Sequence, residues 1–367
     1  MILMNDFKAE PADLQSAMLA AVQRVITSGW YVLGPEVEAF ERRWADRVGV
    51  RRAVGVGNGM DALELALRAL HIGAGDEVIT SPMTAFATVL AILRAGAVPV
   101  LADVDPDTAL LDPASVRRCL GPRTKAVILV HLYGQVRNME VWQGICEDAG
   151  IHLIEDCAQA HDARWNGRVA GAFGRAGAYS FYPTKNLGAL GDGGALVSND
   201  DAIATSAAQL RNYGQSERYK HPEIGMNSRL DELQAAILSV RLDWLARYTA
   251  DRQRIAQRYH RELCNSVVKP LAAPTQPDAH VYHLFVVRCE QRDGLQAHLK
   301  QAGVQALMHY PIPIHHQAPC RDIRRDPAGL AASERHAVDC LSLPCHPQMT
   351  EGQIGTVIEA VNAFVSA

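Results

Sequence analysis

Between Ala53 and Ser198, short β-rich runs alternate with helix-like segments, and this alternation limits the fold more than any single residue does. The runs are Ala53–Gly57, Glu77–Ser81, Val98–Val104, Ala126–Leu132, Ile151–Cys157, Ala176–Phe181 and Gly194–Ser198. Helical patterns fall between them at Asp61–Leu70, Ala85–Ala95, Pro113–Leu120 and Met139–Ala149. Strand alternating with helix predicts an α/β chain built on a mostly parallel, seven-stranded sheet flanked by helices. In such a sheet, ligands gather at the carboxyl ends of the strands.

Further along, Leu230, Leu233, Ile237, Val240, Trp244 and Tyr248 recur every three or four residues. That spacing predicts one long amphipathic helix from about 229 into the 260s, with Ser228 and Asp231 placed as a capping box. A Pro- and Ala-rich loop, Lys269–Ala279, then leads to the strand-like Tyr282–Arg288 and the helical Asp293–Ala302. At 367 residues the chain exceeds one typical core. The expected division is a large domain over 1–245 and a smaller C-terminal α+β domain over 246–367.

Composition narrows the partners. A formal net charge of −4, with no block of like charges, leaves no electrostatic footprint for nucleic acid or an anionic membrane. The apolar run from Val78 to Ala102 holds a single charge, Arg94, but Pro82, Gly96 and Pro99 divide it into strand end, helix and strand, so no membrane span is expected. The eight cysteines are scattered without a CxxC pair, and Met1–Glu10 has no signal-peptide core. Reduced thiols in a cytoplasmic protein follow. Cys345-His346 lies between prolines with no second ligand pair nearby, so no metal site is expected.

The chemistry is carried by Lys185 in Ser-Phe-Tyr-Pro-Thr-Lys-Asn-Leu-Gly, 29 residues after Asp156 (185 − 156), which closes the run Ile151-His152-Leu153-Ile154-Glu155-Asp156. A lysine so placed can form a Schiff base while an aspartate at a strand end keeps a heteroaromatic nitrogen protonated, the pair that pyridoxal 5'-phosphate requires. Gly55-Val56-Gly57-Asn58-Gly59-Met60 falls between a strand and a helix, where exposed N–H groups can hold a phosphate. It is not a dinucleotide fingerprint. Met60 stands where a third glycine is needed, and Asp76 and Glu77 precede the next strand rather than end it.

Several stretches resemble the DegT/DnrJ/EryC1/StrS sugar aminotransferases, of fold type I. They are Asp156-Cys157-Ala158-Gln159-Ala160-His161, Ser180-Phe181-Tyr182-Pro183-Thr184-Lys185 and Gly225-Met226-Asn227-Ser228-Arg229-Leu230-Asp231-Glu232-Leu233-Gln234-Ala235-Ala236. Gly29-Trp30-Tyr31-Val32-Leu33-Gly34-Pro35 and His309-Tyr310-Pro311 extend the likeness over almost the whole chain. The resemblance implies pyridoxal 5'-phosphate as cofactor, L-glutamate as amino donor and a nucleotide-linked keto sugar as acceptor. It also implies a homodimer with shared active sites.

By the same resemblance, the backbone of Gly59 and Met60 and the hydroxyl of Ser180 take the cofactor phosphate, joined by Asn227 from the neighbouring subunit. Gln159 bonds the phenolic oxygen of the ring. Tyr31, Tyr182, Asn186, His309 and Tyr310 fall in motifs that the family uses around the sugar nucleotide. The chain departs from the pattern at Thr84-Ala85-Phe86-Ala87-Thr88, where strict alignment puts Ala85 in the place of the ring-stacking aromatic. Phe86 then either stacks from a shifted backbone or belongs to the core. The segment Ala53–Leu63 looks closer to members that aminate C-3 of dTDP-linked 3-keto-6-deoxyhexoses, with C-4 amination or a UDP-linked 3-keto uronate as alternatives. A non-catalytic sensor of the cofactor or sugar nucleotide is the rival from another class.

Overall fold

The computed structural model describes residues 1–365; positions 366 and 367, the end of the expected C-terminal domain, lie outside them. All seven expected strands form, as β1 (Arg52–Val56), β2 (Glu77–Thr80), β3 (Val98–Leu101), β4 (Thr124–Val130), β5 (His152–Asp156), β6 (Ala176–Ser180) and β7 (Gly194–Ser198). An eighth strand that the sequence did not announce, β8 (Arg324–Arg325), pairs parallel with β3 at the sheet edge. The order is β1-β7-β6-β5-β4-β2-β3-β8, and only β7 runs antiparallel to its neighbours. The carboxyl ends of β1, β2, β4, β5 and β6 therefore share one edge.

The helices are α1 (Ala12–Ser28), α2 (Pro35–Val48), α3 (Gly59–Ala69), α4 (Phe86–Arg94), α5 (Pro113–Cys119), α6 (Met139–Asp148), α7 (Asp201–Leu210) and α8 (Glu232–Glu262). After them come α9 (Arg292–Gln301), α10 (Ala331–Asp339) and α11 (Glu351–Asn362). Two apolar layers enclose the sheet. One contains Phe40, Trp44, Tyr179 and Phe181, with the Phe40 and Phe181 rings edge-on at 5.3 Å. The other joins Val54 and Leu196 to Leu63, Leu67 and Ile203 from α3 and α7.

The long helix begins at Glu232, but not through the expected capping box. Asp231 is its N-cap and makes no side-chain bond to the helix. Ser228 Oγ instead accepts the N–H of Gly57 at 3.0 Å, so the serine ties the α8 approach to the loop after β1. Glu232 serves a different helix. Fully buried, its carboxylate accepts the N–H groups of Gly34, Glu36 and Val37 at 2.8–2.9 Å, where α2 has no intrahelical partners for them.

A separate apolar cluster lies in the C-terminal part. It gathers Ile255 and Tyr259 from α8, Phe285, Leu341, Leu343 and Ile354, and it also takes in Ile2 from the N-terminus. Its sheet is formed by Lys269–Pro270, Phe285–Arg288 and Cys340–Leu343. Among the described residues, no helix is long and apolar enough to cross a membrane.

Candidate active site

β5 ends in two adjacent acids, and strand alternation sends their side chains to opposite faces. Glu155 accepts the N–H groups of Gly171, Phe173 and Gly174 at 2.7–2.8 Å and meets His131 Nε2 at 2.9 Å, so its charge is fully engaged by structure. Asp156 is also buried, yet it has only the Thr88 hydroxyl at 2.8 Å and the Ala158 N–H at 3.1 Å. Thr88 is in turn 2.7 Å from Thr84 Oγ1. Burial pushes the Asp156 carboxyl above its ordinary value, while those two hydrogen bonds and the charge of Lys185 pull it down. Among the described residues it enters no ion pair, which leaves a buried carboxylate ready for a cationic partner.

Lys185 stands in the turn after β6. Its backbone N–H donates to Tyr182 O at 2.8 Å, and Ala189 N–H returns to Phe181 O at 2.7 Å. Gly188 allows the turn to close, since a Cβ there would collide with the Pro183 carbonyl. Although Lys185 is only half-buried by exposure, protein surrounds its ammonium. That desolvation draws it down to about 8, and the attraction of Asp156 offsets only part of the fall.

At the end of β1, Asn58 caps α3 by accepting the Asp61 N–H at 2.9 Å, which leaves Gly59 and Met60 as the first helical residues. A Cβ on Gly59 would lie 2.8 Å from the Ser180 Cβ. Glycine is required there. The close approach sets the free N–H groups of the α3 N-terminus beside the Ser180 hydroxyl, an arrangement suited to an anion.

The remaining wall comes from the segments after β4 and β5 and from the C-terminal part. Gln159 Oε1 accepts the Tyr133 N–H at 2.6 Å, and its Nε2 donates to the Tyr310 hydroxyl at 3.2 Å. The amide is thereby oriented, with one N–H still available. His309 Nδ1 is 2.8 Å from Ser342 Oγ, and burial lowers the imidazole to about 4. Burial, with the charge of Asp156 second, raises the Tyr310 phenol to about 12.

With this geometry in view, the comparison with known proteins is decisive: the model of the DegT/DnrJ/EryC1/StrS aminotransferase family matches residues 12–362. The chain belongs to that family. The erythromycin biosynthesis sensory transduction protein EryC1 of Saccharopolyspora erythraea is 45% identical over 363 residues, 98% of each protein. A dTDP-3-amino-3,4,6-trideoxy-alpha-D-glucose transaminase of Streptomyces venezuelae is 44% identical over 98% of this chain and 95% of its own. The crystal structure of S. venezuelae DesV in complex with ketimine intermediate superposes with a TM-score of 0.95 at 41% identity, over 100% of this chain and 99% of that one. Membership makes the protein a pyridoxal-phosphate-dependent aminotransferase.

Its residues fit that cofactor. The site offers a buried unpaired carboxylate, a lysine with a lowered pKa, and a cradle at Gly59 that any Cβ would fill.

Of the residues named by the family pattern, Asp156 and Ser180 end strands, Gly59 and Met60 start α3, and Lys185 and Gln159 lie in the segments after β6 and β5, all at the sheet's carboxyl edge, while His309 and Tyr310 lie on the C-terminal segment bonded to it. Tyr31 and Tyr182 are about half exposed, at 51% and 52%. Phe86 does not belong to the core; it starts α4 at 37% exposure and enters no ring contact among the described residues. Asn186, expected against substrate, has its amide engaged within the chain. Its Nδ2 donates to Val281 O at 3.0 Å and its Oδ1 is 3.2 Å from His283 Nδ1, so both ends of the amide fasten the lysine turn to the C-terminal segment. Asn227 is exposed, bridged through its backbone to Asn212.

Sequence reasoning missed Thr88, whose hydroxyl holds Asp156, and Tyr133, whose backbone holds Gln159. Thr88 carried a usable signal: it lies four residues after Thr84, a second hydroxyl in the first turn of the expected helix.

Proposed function

We propose that this enzyme moves an amino group from L-glutamate to C-3 of a dTDP-linked 3-keto-6-deoxyhexose. The observation that carries the reading is Lys185, an amine lowered to about 8 beside a buried carboxylate, close to the operating pH as a general base requires. The sugar carbon rests on the Ala53–Leu63 loop pattern and on the 3-amino product in the name of the Streptomyces venezuelae relative.

When bound, pyridoxal phosphate supplies an electron sink for a carbon that has lost its proton. In this proposal Asp156 keeps the ring nitrogen protonated, with Thr88 and the Ala158 N–H holding its carboxylate still. Gln159 donates its remaining amide proton to the phenolic oxygen of the ring. The Ser180 hydroxyl and the backbone N–H groups of Gly59 and Met60 take the phosphate. Lys185 Nζ would take the proton from the glutamate α-carbon in the first half-reaction and deliver a proton to the sugar C-3 in the second. Tyr31, Tyr182, His309 and Tyr310 line the sugar nucleotide, and Asn186 acts by positioning the lysine turn. Phe86, exposed at the start of α4, remains available to the ring.

Incubation with L-glutamate and matched 3-keto and 4-keto dTDP sugars, alongside a UDP-linked 3-keto uronate, tests the assignment. NMR should locate the new C–N bond at C-3 of the dTDP sugar. Nitrogen appearing at C-4 alone, or in the UDP sugar alone, overturns it.

We further propose a cytoplasmic homodimer in which Asn227 reaches the phosphate of the partner's site, and a division into 1–245 and 246–367. Support for the dimer is the segment before Asn227, which holds the large apolar side chains of Tyr219 and Ile224 out at 79% and 89% exposure. The free state of all eight cysteines supports the compartment, and the separate C-terminal apolar cluster supports the division. Mixing Lys185→Ala with Asn227→Ala subunits should restore activity through heterodimers that hold one site free of both lesions, about a quarter of all sites at statistical exchange. Activity no higher than that of Asn227→Ala alone, after proven exchange, places Asn227 in its own subunit.

A further inference from the structure

Tyr133 is fully buried at the end of the β4 loop, outside every motif that led to the site, yet it bonds two of the site's walls at once. Its φ of 63° lies in the left-handed region, uncommon for a residue with a side chain. In that conformation its N–H donates to Gln159 Oε1 at 2.6 Å, while its hydroxyl reaches the carbonyl of His309 and lies 2.9 Å from His336 Nε2. The phenol has one proton, and a carbonyl can only accept, so that proton belongs to His309. His336 then donates from Nε2, in keeping with an Nδ1 that has no hydrogen-bond partner and with an imidazole lowered to about 4 by burial. Burial also raises the Tyr133 phenol well above its ordinary value, so the donor persists.

The two walls meet again on the far side, where Gln159 Nε2 donates to the Tyr310 hydroxyl. A ring of contacts therefore runs Tyr133, Gln159, Tyr310, His309 and back to Tyr133. We propose that Tyr133 is a positioning residue that fixes the His309–Tyr310 segment over the Gln159 amide and so sets the seat of the sugar nucleotide. The proposal rests on the reading that His309 and Tyr310 touch that substrate. Its two arms are separable: the backbone N–H acts on Gln159, and only the hydroxyl acts on the C-terminal segment.

Tyr133→Phe removes the second arm alone. In the holoenzyme it should raise KM for the keto sugar nucleotide about tenfold, as expected when the buried His309 carbonyl loses its donor and the His336 N–H its acceptor. KM for L-glutamate should stay within about twofold, because the donor does not need the far wall. The pH dependence of the cofactor's absorption should not move, since Gln159 keeps its backbone partner. An unchanged sugar KM at an unchanged melting temperature overturns the proposal. So does an equal rise in both KM values with a lowered melting temperature, which marks general loosening. His309→Ala and Tyr310→Phe separate this claim from the one beneath it. If they raise the sugar KM and Tyr133→Phe does not, positioning is wrong and substrate contact stands; if both leave it unchanged, the contact reading fails and the positioning role falls with it.

Discussion

Lys185→Ala lowers the transamination rate by about 10³-fold or more, the upper part of the range for a positioned acid–base group, because the same amine also holds the cofactor. The absorption of the lysine-linked cofactor disappears with it. The fold should persist. Burial already disfavours the Lys185 ammonium, and its attraction to Asp156 does not make up the difference, so the side chain contributes chemistry rather than stability. No other lysine stands in the loop between β6 and β7 to replace it. Stopped-flow absorbance with L-glutamate and steady-state rates check this together, and multiple turnover in the variant contradicts the assignment.

Asp156→Asn gives the second large effect. The carboxylate is held by Thr88 Oγ1 and the Ala158 N–H, and an amide of the same shape can keep one of these by turning its oxygen toward Ala158. Its nitrogen then faces Thr88, whose hydroxyl can still turn toward Thr84. The variant should therefore fold and bind cofactor. It cannot hold a full negative charge against the ring nitrogen, and loss of one such preorganised electrostatic partner lowers the rate by about 10²–10³-fold. A rate within a few-fold of the parent would mean that Asp156 merely caps the turn after β5.

Much of this was legible in the sequence, for physical reasons that differ by element. The strands of the large sheet are short apolar runs broken by Gly, Pro and polar residues, so their positions survive in composition alone. β8 was not legible. Two arginines carry no apolar pattern, and the strand forms because Asp326 beside it accepts Arg118 Nε at 3.0 Å while Arg324 pairs with Glu77. The capping rule failed at Ser228 because a tertiary partner, the Gly57 N–H, claims its hydroxyl.

At the site, Lys185 and Asp156 stood out through spacing and residue type, whereas the partners of Asn186 were not legible. The motif it falls in pointed to the sugar nucleotide, and only the folded chain brings Val281 and His283 to its amide. Tyr133 was hidden for the same reason. Its contacts with His309 and His336 span 176 and 203 residues, and no local pattern encodes them.

The central claim is that this chain is a catalyst of nitrogen transfer, although EryC1, 45% identical to it, is named a sensory transduction protein. Single-turnover absorbance of the purified holoenzyme tests it most directly. L-glutamate alone should convert the lysine-linked cofactor to its amine form with release of one 2-oxoglutarate per site, and the keto sugar nucleotide should then restore the original spectrum. A cofactor spectrum that neither donor nor sugar changes, in protein that still binds both, would contradict the account and leave a sensor.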